Sequence, residues 1–168
     1  MRPASLIAAA LALSILPHPG SAETFACYRR SYSAEHLARN PQQQVREIRA
    51  TYYLEHGQPL YNIRVLFRDD VRAFDAFTYC EEASGGLLCM IECDGGLVHV
   101  TREGDGPLRL MTDYLRAETS ETMAYDNSRG GCSDLVTRAI NDLDAQGALK
   151  RTTFLLTPRR DEECRDPA

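Results

Sequence analysis

Three of the chain's six cysteines fall in one short stretch, CEEASGGLLCMIECDGG, residues 80–96. Cys80, Cys89 and Cys93 lie there among acids and glycine pairs, and three chemistries compete for them: a metal centre, a redox pair, or structural disulfides. Tetrahedral zinc wants thiolates in paired C-x2-4-C units. Cys89 and Cys93 make one such pair only, and on a strand their side chains lie two pleats apart. The C-x-x-C spacing of a redox dithiol does not occur. Structural disulfides are the remaining reading. Cys27, Cys132 and Cys164 bring the number to an even six, all downstream of the N-terminal apolar segment.

Turn chemistry suggests which cysteines meet. A hairpin centred on Ser84-Gly85 sets Glu82 opposite Leu87 and Cys80 opposite Cys89. Directly opposite residues in a non-hydrogen-bonded pair approach to about 4.5 Å between Cα atoms, near the lower end of what a disulfide spans. A second turn at Asp94-Gly95 sets Cys93 opposite Gly96, Ile91 opposite Val98 and Cys89 opposite Val100. The expected set is Cys80–Cys89, Cys93–Cys132 and Cys27–Cys164. The main rival joins Cys80 to Cys93 and leaves Cys89 for a distant partner.

Other residues capable of chemistry are scattered. Asp94, Glu103 and Asp105 sit in glycine loops, as calcium ligands often do, but neither loop follows the full calcium-loop pattern. Plain hairpin turns are the expectation there. His36, His56 and His99 show no metal-ligand spacing, and His18 lies within the N-terminal segment. No G-x-S-x-G elbow, glycine-rich phosphate loop or H-E-x-x-H motif occurs. No carboxylate pair stands out as a glycosidase dyad. The sequence therefore assigns no catalytic residue, no metal ligand and no cofactor.

The first residues, MRPASLIAAALALSILPHPGSAETF, combine Arg2, an apolar run from Leu6 to Leu16, Pro17, and the small residues Gly20 and Ala22. This is the pattern of a secretory signal peptide cleaved after Ala22. The run is too short for a permanent membrane anchor. An acylated Cys27 fits poorly, because a polar and Pro/Gly stretch separates it from the apolar core and it would leave five cysteines. Removing residues 1–22 leaves a single exported domain, residues 23–168, large enough for a sizeable core. A formal net charge of −5 argues against nucleic acid as a general partner. Periplasmic or secreted is the expected location, with no membrane anchor after cleavage. The single lysine, Lys150, among many arginines is the bias of a GC-rich bacterial genome.

The elements that position these residues read mostly as strands. REIRATYYLE puts Ile48, Ala50, Tyr52 and Leu54 on one parity, and LYNIRVLFR does the same with Tyr61, Ile63, Val65 and Phe67. Further strands are expected at FDAFTYCEE, LLCMIEC, LVHVTRE, LRLMTDYLRA and ETMAY, broken by Gly-rich turns. SAEHLARNP reads as a short helix ending before Pro41. In CSDLVTRAINDLDAQG the period changes to that of a helix. Leu135, Val136, Ala139, Ile140 and Leu143 form one stripe, Ser133 can cap it, and Gly147 can end it, which places a helix near 134–145. TTFLLTP is a last strand, stopped by Pro158.

The fold class that follows is mainly β: a small antiparallel barrel or curved sandwich, a meander of about eight strands with one principal helix before the last, stabilised by disulfides. The order resembles that of lipocalin-like barrels, although the chain has no Trp and so lacks their Gly-x-Trp signature. In the hairpin region one face carries Ala76, Thr78, Cys80, Cys89, Ile91, Cys93, Val98 and Val100. The other carries Phe77, Tyr79, Leu88, Met90, Leu97 and His99. Both are apolar, so the 134–145 helix is expected to cover the second. The function expected is a non-catalytic exported binding domain, for a small ligand or, as in inhibitor-like modules, for a protein partner. The alternative is a small exported hydrolase with a site built from distant residues. A deep cavity with clustered polar residues would favour an enzyme, a closed-ended apolar cavity a ligand binder, and a filled core with one protruding loop an inhibitor.

Overall fold

Alternating apolar residues build long strands that curl until the sheet meets itself. The computed structural model describes residues 25–119 and 136–164. Its strands are β1 (Ala26–Ser31), β2 (Val45–Glu55), β3 (Gln58–Phe67), β4 (Ala73–Ala83), β5 (Gly86–Met90), β6 (Gly96–Arg102), β7 (Leu108–Thr119), β8 (Thr137–Ala139) and β9 (Thr152–Arg159). One short helix, α1 (Ala34–Arg39), starts at Ser33, whose hydroxyl accepts from the His36 amide. Every pairing is antiparallel. β1 to β7 follow as a meander, β7 pairs with β9, and β9 pairs with β1, which closes an eight-stranded barrel. β9 runs on through Pro158, which stands opposite Tyr28, so that proline does not stop the strand.

The hairpin β5–β6 is inserted between β4 and β7 over only part of their length. Beyond it β7 reaches β4 directly, Phe74 opposite Thr119 and Asp75 opposite Glu118. The inward parities expected for β2 and β3 hold. Ile48, Ala50, Tyr61, Ile63, Val65 and Phe67 join Phe74, Leu108, Leu110, Leu115, Phe154 and Leu156 in one continuous buried cluster. Phe67 and Phe74 meet edge to face at 5.0 Å. The cluster runs from strand to strand around the whole barrel and fills its interior.

The principal helix expected near 134–145 is not formed. Residues 134 and 135, with the Ser133 cap, lie outside the described residues. The rest is the short strand β8 followed by a tight loop. The reason is the sheet. β9 covers β7 only as far as Thr112, so β7 from Arg116 to Glu118 needs another partner, and β8 supplies it. The Thr119 amide donates to the Val136 carbonyl at 3.1 Å, and the Ile140 amide to Leu115 at 2.9 Å. Backbone groups spent on β7 cannot form helical bonds. Ile140 is buried as the stripe required, but Val136 is exposed. Gly147 does take a positive φ of 81°, in the hairpin-like turn that sets Leu143 opposite Leu149 rather than at a helix end.

Asn141 locks this junction. It is fully buried, and its Oδ1 accepts from the Leu115 amide at 3.1 Å. Its Nδ2 donates to the carbonyls of Thr112 and Lys150. Its own carbonyl accepts from Gln44 Nε2 at 2.6 Å. Its side chain thus joins β7 to the approach to β9, and its backbone carbonyl adds the loop before β2.

Two disulfides fall where the sequence places them. Cys27–Cys164 ties the start of β1 to the 3-10 turn Asp161–Glu163 after β9, with Cα atoms 5.7 Å apart. Cys80–Cys89 crosses the β4–β5 hairpin, whose register also sets Glu82 opposite Leu87. Cys93 is disulfide-bonded as well; its expected partner, Cys132, lies outside the described residues, as do the expected strand ETMAY and the cleavage position Ala22.

Candidate functional site

Residues that alternate with the core point outward, and the register lines them up. Tyr53 stands opposite Leu60, Leu60 opposite Tyr79, Tyr79 opposite Met90, Met90 opposite Leu97, and Leu97 opposite Tyr114. This is one cross-strand row over six neighbouring strands, β2 to β7. At the usual strand spacing it is roughly 24 Å long. Phe77 flanks it on one side. On the other, Leu88 faces His99 and His99 faces Met111. Tyr79 is 45% and Leu97 44% exposed, and Phe77, Met90 and Tyr114 are also exposed. The helix expected to cover this face is absent, so these side chains meet solvent. Leu60 is buried between its two tyrosine neighbours.

Tyr114 joins the row because β7 carries a bulge. Inward residues are Leu108, Leu110 and Thr112, then Leu115, Ala117 and Thr119, so the parity switches between them. The register shifts where Val98 of β6 meets two residues of β7, Thr112 and Asp113. Thr112 Oγ1 donates to the Leu97 carbonyl at 2.6 Å there. Gly96 makes the close approach possible: a Cβ on it would lie 2.1 Å from the Tyr114 carbonyl oxygen, and its φ is +89°.

The β5–β6 connection differs from the expected one. Met90 faces Leu97 and Cys89 faces Val98, a two-residue shift from the sequence reading of Cys89 opposite Val100 and Cys93 opposite Gly96. Cys93 and Asp94 both have φ of 58°, and the Gly95 amide donates to Glu92, so the turn centres on Cys93-Asp94 and not on Asp94-Gly95. A shift by two preserves parity, so the paired residues keep their expected faces, whereas Cys93, expected on the inner face, is exposed in the turn. Cys93 sits exposed at the tip, where Arg116 Nη2 donates to its carbonyl at 2.9 Å.

The electrostatics around the row are one-sided. Between residues 73 and 101 there is no Lys or Arg. Glu81, Glu82, Glu92 and Asp94 are exposed beside the row. Burial pushes the Tyr53 phenol above its ordinary value, with Glu55 and Tyr79 adding to the rise. The Tyr53 phenol therefore stays a neutral hydrogen-bond donor at physiological pH.

The remaining sequence candidates do not converge. His36 Nε2 lies 2.9 Å from Gln43 Oε1 and its ring stacks on Tyr32. His56 is in the β2–β3 turn and His99 on the outer face. Glu103 belongs to a turn closed by the Gly106 amide. Among the described residues no three His, Cys, Asp or Glu side chains are grouped to hold a metal, and no cysteine is free. No family model, curated protein or solved structure matches the chain.

The sequence showed the outward parity of β4 to β6 but not the row's extension to Tyr53, Leu60 and Tyr114. The signal for the first two was present: His56-Gly57, both at positive φ, form a two-residue turn that fixes Glu55 opposite Gln58. Counting back two residues on each strand pairs Tyr53 with Leu60.

Proposed function

We propose that the chain is an exported, non-catalytic binding module that recognises a protein on the outer face of β2 to β7. The observation that carries this reading is the row from Tyr53 to Tyr114, whose Tyr79, Met90, Leu97 and Tyr114 lie exposed over an interior already filled by Phe67, Phe74 and Phe154. A filled barrel favours surface recognition over an enclosed small ligand. Tyrosine and methionine are among the side chains that protein interfaces concentrate; tyrosine brings large area at low entropic cost, and methionine adapts its shape to the partner. The flanking Glu81, Glu82, Glu92 and Asp94 select a partner whose own apolar patch is rimmed with basic residues.

The test starts from exported proteins passed over the immobilised chain at low and high salt. A retained protein, once identified and purified, must form a stoichiometric complex by sedimentation. Replacing Met90 and Leu97 together by Glu should weaken that complex about 100-fold, the scale of losing central interface residues. Retention of nothing, or a complex indifferent to the double substitution, would sink the proposal.

Export with cleavage after Ala22 belongs to the same reading. The disulfides fit an oxidising compartment, and among the described residues no helix is long and apolar enough to cross a membrane. N-terminal sequencing of the exported protein should begin at Glu23. Recovery of the full-length chain in the cytosol would contradict it.

A further inference from the structure

β1 and β9 are the two barrel strands that the tyrosine row does not cross. Between them and the C-terminal 3-10 turn lies a cleft of about 410 Å³, lined by Arg29, Arg30, Ser31, Thr157, Arg159 and Glu163. Three arginines against one glutamate give it a positive surplus, on a chain whose net charge is −5. The surplus is thus local and set against the charge of the whole.

The neighbouring acids offset only part of it. Arg29 Nη2 donates to Glu47 Oε2 at 2.6 Å, and the same oxygen accepts from Ser31 Oγ at 3.0 Å. This fixes the Arg29 guanidinium by one edge. Its Nε is buried and has no hydrogen-bond partner among the described residues. A buried donor left unpaired is costly, and such groups point to a missing acceptor. Glu163 is drawn to Arg160, 3.7 Å away. Arg159 is exposed and has no ionic or hydrogen-bonding partner among the described residues. Arg30 lies 5.3 Å from the Tyr32 ring, a contact that leaves its charge in place.

The cleft is also held in shape. Arg159 stands opposite Cys27, and the Cys27–Cys164 disulfide pins the turn bearing Glu163 against β1. Arg49 Nη1 lies 3.5 Å from the Glu163 carbonyl, and Thr157 Oγ1 donates to the Arg29 carbonyl at 3.2 Å. Little ordering remains to oppose binding.

We propose that this cleft binds a phosphate group, with Arg29 and Arg159 as its principal donors and Arg30 adding charge. Guanidinium forks match tetrahedral oxyanions. Arginines on two different strands suit an anion that accepts from several directions and carries between one and two charges at neutral pH. A planar, singly charged carboxylate uses such an arrangement less fully.

The test is a titration of the disulfide-intact chain with inorganic phosphate at constant ionic strength, followed by amide chemical shifts. A saturable response is expected, with shifts confined to β1, β9 and the 3-10 turn. Arg159→Gln, which removes an unpaired exposed side chain, should weaken it about tenfold. Arg29→Lys keeps the charge beside Glu47 but removes the Nε donor, and should weaken it too. Acetate should bind less well than phosphate. Vesicles of phosphatidylcholine with and without phosphatidic acid identify the source: phosphate-competed binding to the acidic vesicles points to a lipid headgroup, and binding of free phosphate alone to a soluble ligand. A non-saturating response, an unchanged response in Arg159→Gln, or acetate matching phosphate would overturn the proposal.

Discussion

Replacing Cys27 and Cys164 together by Ala should lower the unfolding free energy by about 4–5 kcal/mol, the larger of the two disulfide effects. The residues are 137 apart in sequence, so the bridge closes nearly the whole folded chain. In the chain-entropy model the restriction of the unfolded state grows with loop length. Cys80–Cys89 closes a loop of sequence separation 9, and its removal should cost about 2.5–3 kcal/mol by the same model. Urea unfolding of the two double variants, compared with the intact chain at equal slope, measures the difference. Cys80 and Cys89 are both buried in the core. If their loss costs more than that of Cys27 and Cys164, packing outweighs chain entropy and the argument from loop length fails.

The second large effect is expected at Asn141. Replacement by Ala leaves the Leu115 amide without its side-chain acceptor and takes one donor from each of the Thr112 and Lys150 carbonyls, the latter still accepting from Thr152 Oγ1. A buried group left unsatisfied costs about 1–3 kcal/mol, and the site is fully buried. A total of about 3 kcal/mol is expected once entering water offsets part of it. Asn141→Asp is the sharper probe. It keeps the acceptor for Leu115 but turns a carboxylate towards two carbonyls, so the folded state should raise its pKa above the unfolded value. The penalty is then full above the folded pKa and relieved as pH falls below the unfolded one. Stability of this variant relative to the parent should therefore improve in acid. An Asn141→Ala variant within about 0.5 kcal/mol of the parent, the ordinary range of surface substitutions, would mean that the junction is not held as described.

What the sequence disclosed follows from which forces are local. Alternation in β2 and β3, the Ser84-Gly85 turn and the opposition of Cys80 and Cys89 depend on near neighbours, and they appear as read. α1 likewise has its cap and its stop within a few residues. The stripe through Val136, Ala139, Ile140 and Leu143 is also local, but the unpaired end of β7 outweighed it. β1 was missed because ACYRRS shows no alternation: Cys27 and Tyr28 are buried in succession, one against the C-terminal turn and one in the core. The β5–β6 turn centres on Cys93-Asp94 rather than on the Asp94-Gly95 expected, because Cys93, a non-glycine residue, takes a positive φ beside Asp94. The β7 bulge could have been read, since the spacing of Leu108, Leu110, Leu115 and Ala117 changes parity midway. The candidate site was half legible for the same reason: parity is written in each strand, whereas a row depends on the register of several.

The direct contact between β4 and β7 has a consequence for how the molecule comes apart. β1, β2, β3, β4, β7 and β9 form a closed circuit by their own pairings, and the β5–β6 hairpin is a wedge let into one seam of it. A wedge can fray while the circuit persists, so amide exchange should divide the barrel into two cooperative units rather than one. The wedge carries Met90 and Leu97, the middle of the tyrosine row, and Cys80–Cys89 fastens it to β4. Reduction of that one bridge would loosen the middle third of the recognition surface while Cys27–Cys164 still holds the two ends of the folded chain together.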